Sequence, residues 1–194
     1  MKNEWDDYAN EWEANPQVVQ YSKLAFNSLI KVVNIEGLNI LDFGCGTGLL
    51  SELMLPSANK IVALDSSKEM TLVLKNKNLP KISVIDIILT KELIRNNELL
   101  AIKFDLIVAS SVCGFLPNYN ETLKLLKSML TKNGILVQWD WLASSEISET
   151  GLTINKVESA FNGAELKLSS LTQPFSIDHD NTAMPVLMAV GKNC

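Results

Sequence analysis

Gly44, Gly46 and Gly48 stand at alternate positions directly after the run Ile40-Leu41-Asp42-Phe43. Glycines spaced in this way let a chain turn sharply after a strand, and let a ligand lie against main-chain atoms where a Cβ would block it. A second signal follows 21 residues after Gly44, where Asp65 closes the apolar stretch Lys60–Leu64. A carboxylate at a strand tip beside such a loop can accept hydrogen bonds from both hydroxyls of a ribose. Two residues stand out as proton acceptors. His179 is the one histidine, and its ordinary pKa lies near neutrality; Asp140 sits between Trp139 and Trp141, whose indoles could desolvate it and wall a pocket. With a single imidazole, every mechanism needing two is excluded. Cys45, Cys113 and Cys194 are odd in number and far apart, which fits neither a disulfide framework nor a zinc site, so no metal is expected and the thiols read as reduced. Cys113 reads as a small buried residue, since no nearby cation would lower its pKa.

Elements must present these groups at one edge, and the chain alternates apolar runs with helix-period segments from about residue 38 onward. That alternation predicts an α/β fold with a doubly wound, mostly parallel sheet. Strands are expected at 39–43, 60–64, 82–87, 104–110 and 135–139, with two more candidates at 165–171 and 185–190. Asn15 and Pro16 should open a helix running to about Val32, Pro56 should help stop the one after the glycines, and Thr153 should cap one ending at Asn162-Gly163. Ser66 and Glu69 have the spacing of a capping box, predicting a helix that opens at Ser66. Further helices are expected near 91–96 and 120–130, with Asn133-Gly134 turning into the fifth strand. The chain divides on this reading into an N-terminal helical extension or lid, 1–34, and one domain, 35–194. If the sixth strand is parallel, the loop 172–184 carrying His179 lies on the same rim as the glycines, where open α/β sheets bind ligands.

Composition sets limits. The chain has 194 residues, a formal net charge of −5 and 47% hydrophobic residues, enough to bury a full core but a poor match for a groove that tracks a phosphate backbone. Nucleic acid is therefore not expected. The polar N-terminus has no apolar core of a secretory signal, and no stretch approaches the ~18 apolar residues of a membrane span, so the reading is a cytoplasmic protein without a membrane partner.

The ligand class follows from what the glycine segment lacks. Dinucleotide-binding loops carry a third glycine where this chain has Leu49, and Asp42 would repel a pyrophosphate. Acid, glycines, acid suits S-adenosylmethionine, with a sulfonium and an ammonium beside its ribose. Leu41-Asp42-Phe43-Gly44-Cys45-Gly46-Thr47-Gly48 closely resembles motif I of the class I S-adenosylmethionine-dependent methyltransferases, and Leu64-Asp65-Ser66-Ser67 with Met70 resembles their acidic second motif. Val84-Ile85-Asp86-Ile87, Phe104 to Ser110 and Leu130 to Leu136 match later motifs in order, and Trp5 to Glu13 resembles the aromatic and acidic opening of many small-molecule members.

The resemblance implies a seven-stranded Rossmann-like sheet with the last strand antiparallel, and S-adenosylmethionine as cofactor. It implies that Gly44, Cys45, Gly46 and Gly48 line the methionine moiety, with Asp42 holding the loop and the ammonium. Asp65 and Ser66 would lie at the ribose, Met70, Asp86 and Ile87 around adenine, and Ser110 at cofactor or substrate. Trp5, Tyr8 and Trp12, at helical spacing, would belong to a lid over cofactor and substrate. Ser110-Ser111-Val112-Cys113 lacks the Asn-Pro-Pro-Tyr type of sequence that holds a planar nitrogen, which points to a small-molecule acceptor. Two other readings stay open: a non-catalytic S-adenosylmethionine-binding regulatory or partner protein, and a nicotinamide-dependent oxidoreductase.

Overall fold

The computed structural model describes residues 4–145, 151–179 and 182–194, with His179 described by its backbone. The chain forms two compact units, Met1–Ile102 and Lys103–Cys194. Its strands make a seven-stranded, mostly parallel sheet flanked by helices, the Rossmann-like architecture expected.

The first unit opens with a 3-10 helix, Glu4–Ala14, and α1, Pro16–Val32. Asn15 caps α1 by accepting from Gln17 N at 2.9 Å, and Pro16 occupies the first turn, where its missing N–H costs nothing. Then come β1 (Asn39–Phe43), α2 (Leu49–Met54), β2 (Lys60–Leu64), α3 (Lys68–Asn76), β3 (Ile82–Ile85) and two short helices, α4 (Lys91–Asn96) and α5 (Glu98–Ala101). Strands β3, β2 and β1 pair in that order, all parallel. Ile40, Leu41, Ile61, Val62 and Ala63 are fully buried, as parallel strands covered on both faces require.

Three expectations shift here. The helix after Asp65 is capped by Ser67, not Ser66: Ser67 Oγ accepts from Met70 N, while Ser66 is exposed. Strand β3 stops at Ile85, leaving Asp86 and Ile87 beyond it. Helix α5 carries its own cap, Asn97, whose Oδ1 accepts from Leu99 N, and was not anticipated.

The second unit contains β4 (Phe104–Ser110), a 3-10 turn at Cys113–Phe115, α6 (Tyr119–Met129), β5 (Leu130–Trp141), α7 (Ile154–Gly163), β6 (Lys167–His179) and β7 (Thr182–Lys192). Strands β4 and β5 are parallel, while β7 is antiparallel to both β5 and β6, so the last strand enters as a hairpin. Thr153 caps α7 by accepting from Lys156 N. Asn133, in the left-handed region at φ 66°, turns the chain within β5 and donates its N–H to Asn193 O.

The expected loop 172–184 is the largest correction. Residues 172–179 belong to β6, and His179 pairs with Thr182 across the hairpin; Asp180, read as part of that loop, lies outside the described residues. The β6 and β7 register shifts between Thr172 and Phe175, around Pro174, whose missing N–H is tolerated at such an irregularity.

Candidate functional site

In the first unit the sheet delivers β1 into the glycine loop and β2 into Asp65. Gly44 N and Cys45 N both donate to Leu64 O, at 2.8 and 3.2 Å, tying the start of the loop to the end of β2. Asp65 completes the tie. Its Oδ2 accepts from Gly46 N and its Oδ1 from Ser67 N, each at 2.8 Å, so one carboxylate bridges the glycine loop and the start of α3. Burial raises the Asp65 pKa; the donated backbone N–H groups oppose the rise, and the Asp6 carboxylate adds to it.

Asp42 lies beneath the same loop, 1% exposed, accepting from Ser51 Oγ at 2.6 Å. Burial pushes its pKa up to about 6; the Ser51 hydroxyl opposes this, and the charge of Asp65 adds to it. Burial, with Asp42 and Asp65 nearby, also raises the Cys45 thiol well above its usual range, so this residue packs rather than reacts.

Gly48 begins α2 in the left-handed region, φ +88°, and a Cβ there would stand 2.4 Å from Leu74 Cδ1. At Gly46, φ +53°, a Cβ would meet only the Trp12 indole, whose Nε1 stands 3.7 Å away. Thr47 Oγ1 is buried there with no hydrogen-bond partner among the described residues.

Trp12 belongs to the N-terminal 3-10 helix, where Trp5 packs on Tyr8 with ring centroids 6.2 Å apart and edge-on against Trp12 at 5.9 Å. The segment packs on α3, and Asp6 Oδ1 accepts from Ser67 Oγ at 2.6 Å. Met70 is buried at the start of α3. Asp86 is half-buried and Ile87 exposed, and Asp86 pairs with Lys75 at 2.7 Å, which lowers its pKa through the lysine's hydrogen bond. Ser51, Ser67 and Asp6 were not singled out from sequence as members of this site. Ser67 was within reach, one residue from the cap that was read, whereas the Asp6 contact spans 61 residues.

The second unit holds the other candidates. Asp140 is 1% exposed, and its Oδ1 accepts from Gly114 N at 2.7 Å. Its Oδ2 accepts from Gln138 Nε2 at 3.2 Å, and Gln138 Oε1 accepts from Tyr119 OH at 2.9 Å. Burial pushes the Asp140 pKa up to about 8, against the opposing N–H groups of Gly114 and Cys113.

Trp139 and Trp141 are not what encloses Asp140, because neighbours along a strand point to opposite faces. The 3-10 turn does so. A Cβ on Gly114 would stand 3.3 Å from Asp140 Oδ1 and 3.0 Å from Gly151 Cα. Cys113 is buried, with its pKa raised by burial and by Asp140, as an inert thiol should be. A cavity of about 690 Å³ adjoins the turn, lined by Cys113, Gly114, Tyr119, Asn155 and Lys156 among others. Ser110 ends β4 opposite Trp139.

Asp140 pairs with Leu187 of β7, whereas His179 pairs with Thr182. At the usual rise of a strand, the two candidate bases are separated by roughly 17 Å along the ribbon. They do not form a pair. Among the described residues no cluster of three or more His, Cys, Asp or Glu gathers as for a metal ion, and no helix is long and apolar enough to cross a membrane.

The glycine loop of this α/β domain is thus flanked by the carboxylates of Asp42 and Asp65, with Leu49 where a dinucleotide-binding loop carries its last glycine. A family model described as a methyltransferase domain matches residues 17–177, and the chain belongs to that family, whose methyl donor is S-adenosylmethionine. An uncharacterized methyltransferase of Schizosaccharomyces pombe is 31% identical over 117 residues, covering 57% of this chain and 41% of the relative. The chain spans 41% of the length of the curated relatives it matches.

Among solved structures, the methyltransferase complexed with the Haloferax volcanii Trm112 activator superposes with a TM-score of 0.78 at 16% identity, covering 100% of this chain and 99% of that one. A methyltransferase from Aquifex aeolicus, described as S-adenosylmethionine-dependent, gives 0.73 at 14% identity with 100% of both chains covered. At such identities the likeness is one of fold.

Proposed function

We propose that this chain transfers a methyl group from S-adenosylmethionine to a small-molecule acceptor. The observation that carries the reading is Asp65, whose carboxylate joins the Gly46 and Ser67 amides above the buried Asp42. A carboxylate offers about four acceptor sites, so beside the Gly46, Ser67 and Ser66 amides Asp65 keeps capacity for a ribose hydroxyl. Asp42 supplies negative charge under the loop, which favours a cationic ligand and disfavours a pyrophosphate. In this reading Gly44, Cys45, Gly46 and Gly48 lie along the methionine moiety, Ser66, Met70, Asp86 and Ile87 around the nucleoside, and Ser110 near cofactor or acceptor. Trp12 stands over Gly46, with Trp5 packed edge-on against it and Tyr8 beside Trp5.

The donor supplies an activated methyl on a positive sulfur. The protein's own part is to align the acceptor, exclude water and take up a proton where the acceptor carries one. His179 and Asp140 are alternatives for that last task. Asp140, with its pKa pushed up to about 8 by burial, has basicity near neutrality, and His179 is an alternative by residue type. A cavity of about 690 Å³ is of the size that takes a small molecule.

Calorimetric titration with S-adenosylmethionine, its demethylated product and NAD tests the reading. Micromolar binding of the first two and none of NAD is expected, with Asp65→Ala losing about tenfold or more in affinity. Preference for NAD, or no binding at all, removes it. A second reading, a cofactor-binding partner protein without turnover, is favoured by the enclosure of Asp140, both of whose oxygens are engaged within the protein. Binding without methyl transfer across a broad acceptor panel would select it.

A further inference from the structure

Lys77 lies outside every motif read in the sequence, yet it joins three elements of the first unit. It follows directly on α3, and its Nζ bonds both Glu13 of the N-terminal 3-10 helix and Glu52 of α2. The lysine side chain is 19% exposed, against 35% and 37% for the two carboxylates, so the pairs are screened less than surface ion pairs. At the other end of the same segment Asp6 accepts from Ser67 Oγ, the hydroxyl that caps α3.

Between these two ties lies Trp12, with its indole against the Gly46 backbone. The segment also packs on α3. Eleven residues of 3-10 helix is a long run for that geometry, and Ala9 is its one buried residue. The two ties fix the ends of the segment, Asp6 at the start of α3 and Glu13 at its close beside α2.

We propose that Lys77 and Asp6 are positioning residues that clamp residues 4–14 as a strap over the cofactor loop, so that the strap must release before S-adenosylmethionine enters or its demethylated product leaves. This rests on the reading of the glycine loop as the cofactor site. A strap that only gates has a distinctive kinetic signature. The open fraction multiplies entry and exit alike and cancels in the equilibrium constant, whereas a strap that grips the ligand slows exit alone.

Stopped-flow tryptophan fluorescence with the demethylated product measures both rates, and hydrogen exchange of the amides of residues 4–14, without ligand, reads the strap itself. Lys77→Met is expected to raise association and dissociation together by about tenfold, with the dissociation constant within about twofold of the original. Asp6→Asn should act in the same direction by about threefold, Lys77→Arg should restore slow exchange, and strap amides should exchange faster in Lys77→Met. Dissociation rising alone, or both rates unchanged while the strap amides loosen, overturns the gate. Unchanged strap exchange in Lys77→Met overturns the clamp. If neither ligand binds the unaltered protein, the cofactor reading fails and the gate with it, and the exchange measurement still decides the clamp.

Discussion

Asp42, Asp65 and Asp140 each hold a carboxyl group largely out of water, and each does so differently. Asp42 has the Ser51 hydroxyl, Asp65 two backbone amides from two loops, and Asp140 the Gly114 amide with Gln138 behind it. All three pKa values are raised, to about 6 for Asp42 and about 8 for Asp140. A raised carboxyl binds its proton more tightly when folded, so the folded state loses relative stability as pH climbs from the unfolded value of 3.8 toward the folded one. Asp140→Asn keeps an acceptor for Gly114 N and removes the titration. In urea unfolding, the unaltered protein should lose stability between pH 6 and 8 by up to about 1.4 kcal/mol per pH unit, and the variant should lose markedly less. An identical slope in both would mean that Asp140 is already ionised throughout that range. The sequence disclosed Asp140 as a residue of interest but not the reason. Tyr119, Gly114 and Gly151 come from other elements, and nothing in their spacing announces that they meet around one carboxyl.

Local chemistry explains the elements that were legible. Strands β1, β2 and β4 begin and end at the residues expected, because fully buried parallel strands are continuous apolar runs bounded by glycine, aspartate or serine. Caps at Asn15 and Thr153 were equally readable, each a side-chain acceptor just before a helix. The helix after Asp65 shows the limit of that reading. Ser66 and Ser67 are both good caps by type, and the choice of Ser67 follows from Asp65 accepting its N–H. The extension of β6 beyond Leu171 was missed for the converse reason. Thr172 to His179 carries polar residues and Pro174 without a clean alternation, and its strand state comes from pairing with β7. Gly48 offers a direct test at this scale. Gly48→Ala forces a Cβ into the left-handed region and onto Leu74, and should destabilise the protein by about 1–2 kcal/mol in chemical denaturation. Stability equal to that of the glycine form would mean that the α2 start relaxes freely.

For the molecule as a whole, a ligand that binds only the folded chain must raise its unfolding temperature by mass action. S-adenosylmethionine at about a hundredfold over its dissociation constant should stabilise by roughly 2.7 kcal/mol, a rise of roughly 5–10 °C for a chain of this length, readable by differential scanning fluorimetry. NAD at the same concentration should leave the transition where it was. The family and its seven-stranded sheet were readable from Asp42 to Gly48, from Asp65 and from the order of apolar runs, because a backbone cradle needs glycine at set positions and a parallel sheet needs unbroken hydrophobic strands. Those demands are local, and the type of residue at each position meets them. What only the tertiary structure decided is which distant groups share a partner: Asp65 between Gly46 and Ser67, Lys77 between Glu13 and Glu52, Asp140 under Gly114. It also set His179 at the tip of a strand, well along the ribbon from Asp140. Such contacts join residues far apart along the chain, and their geometry follows from how packed elements bring side chains together in space.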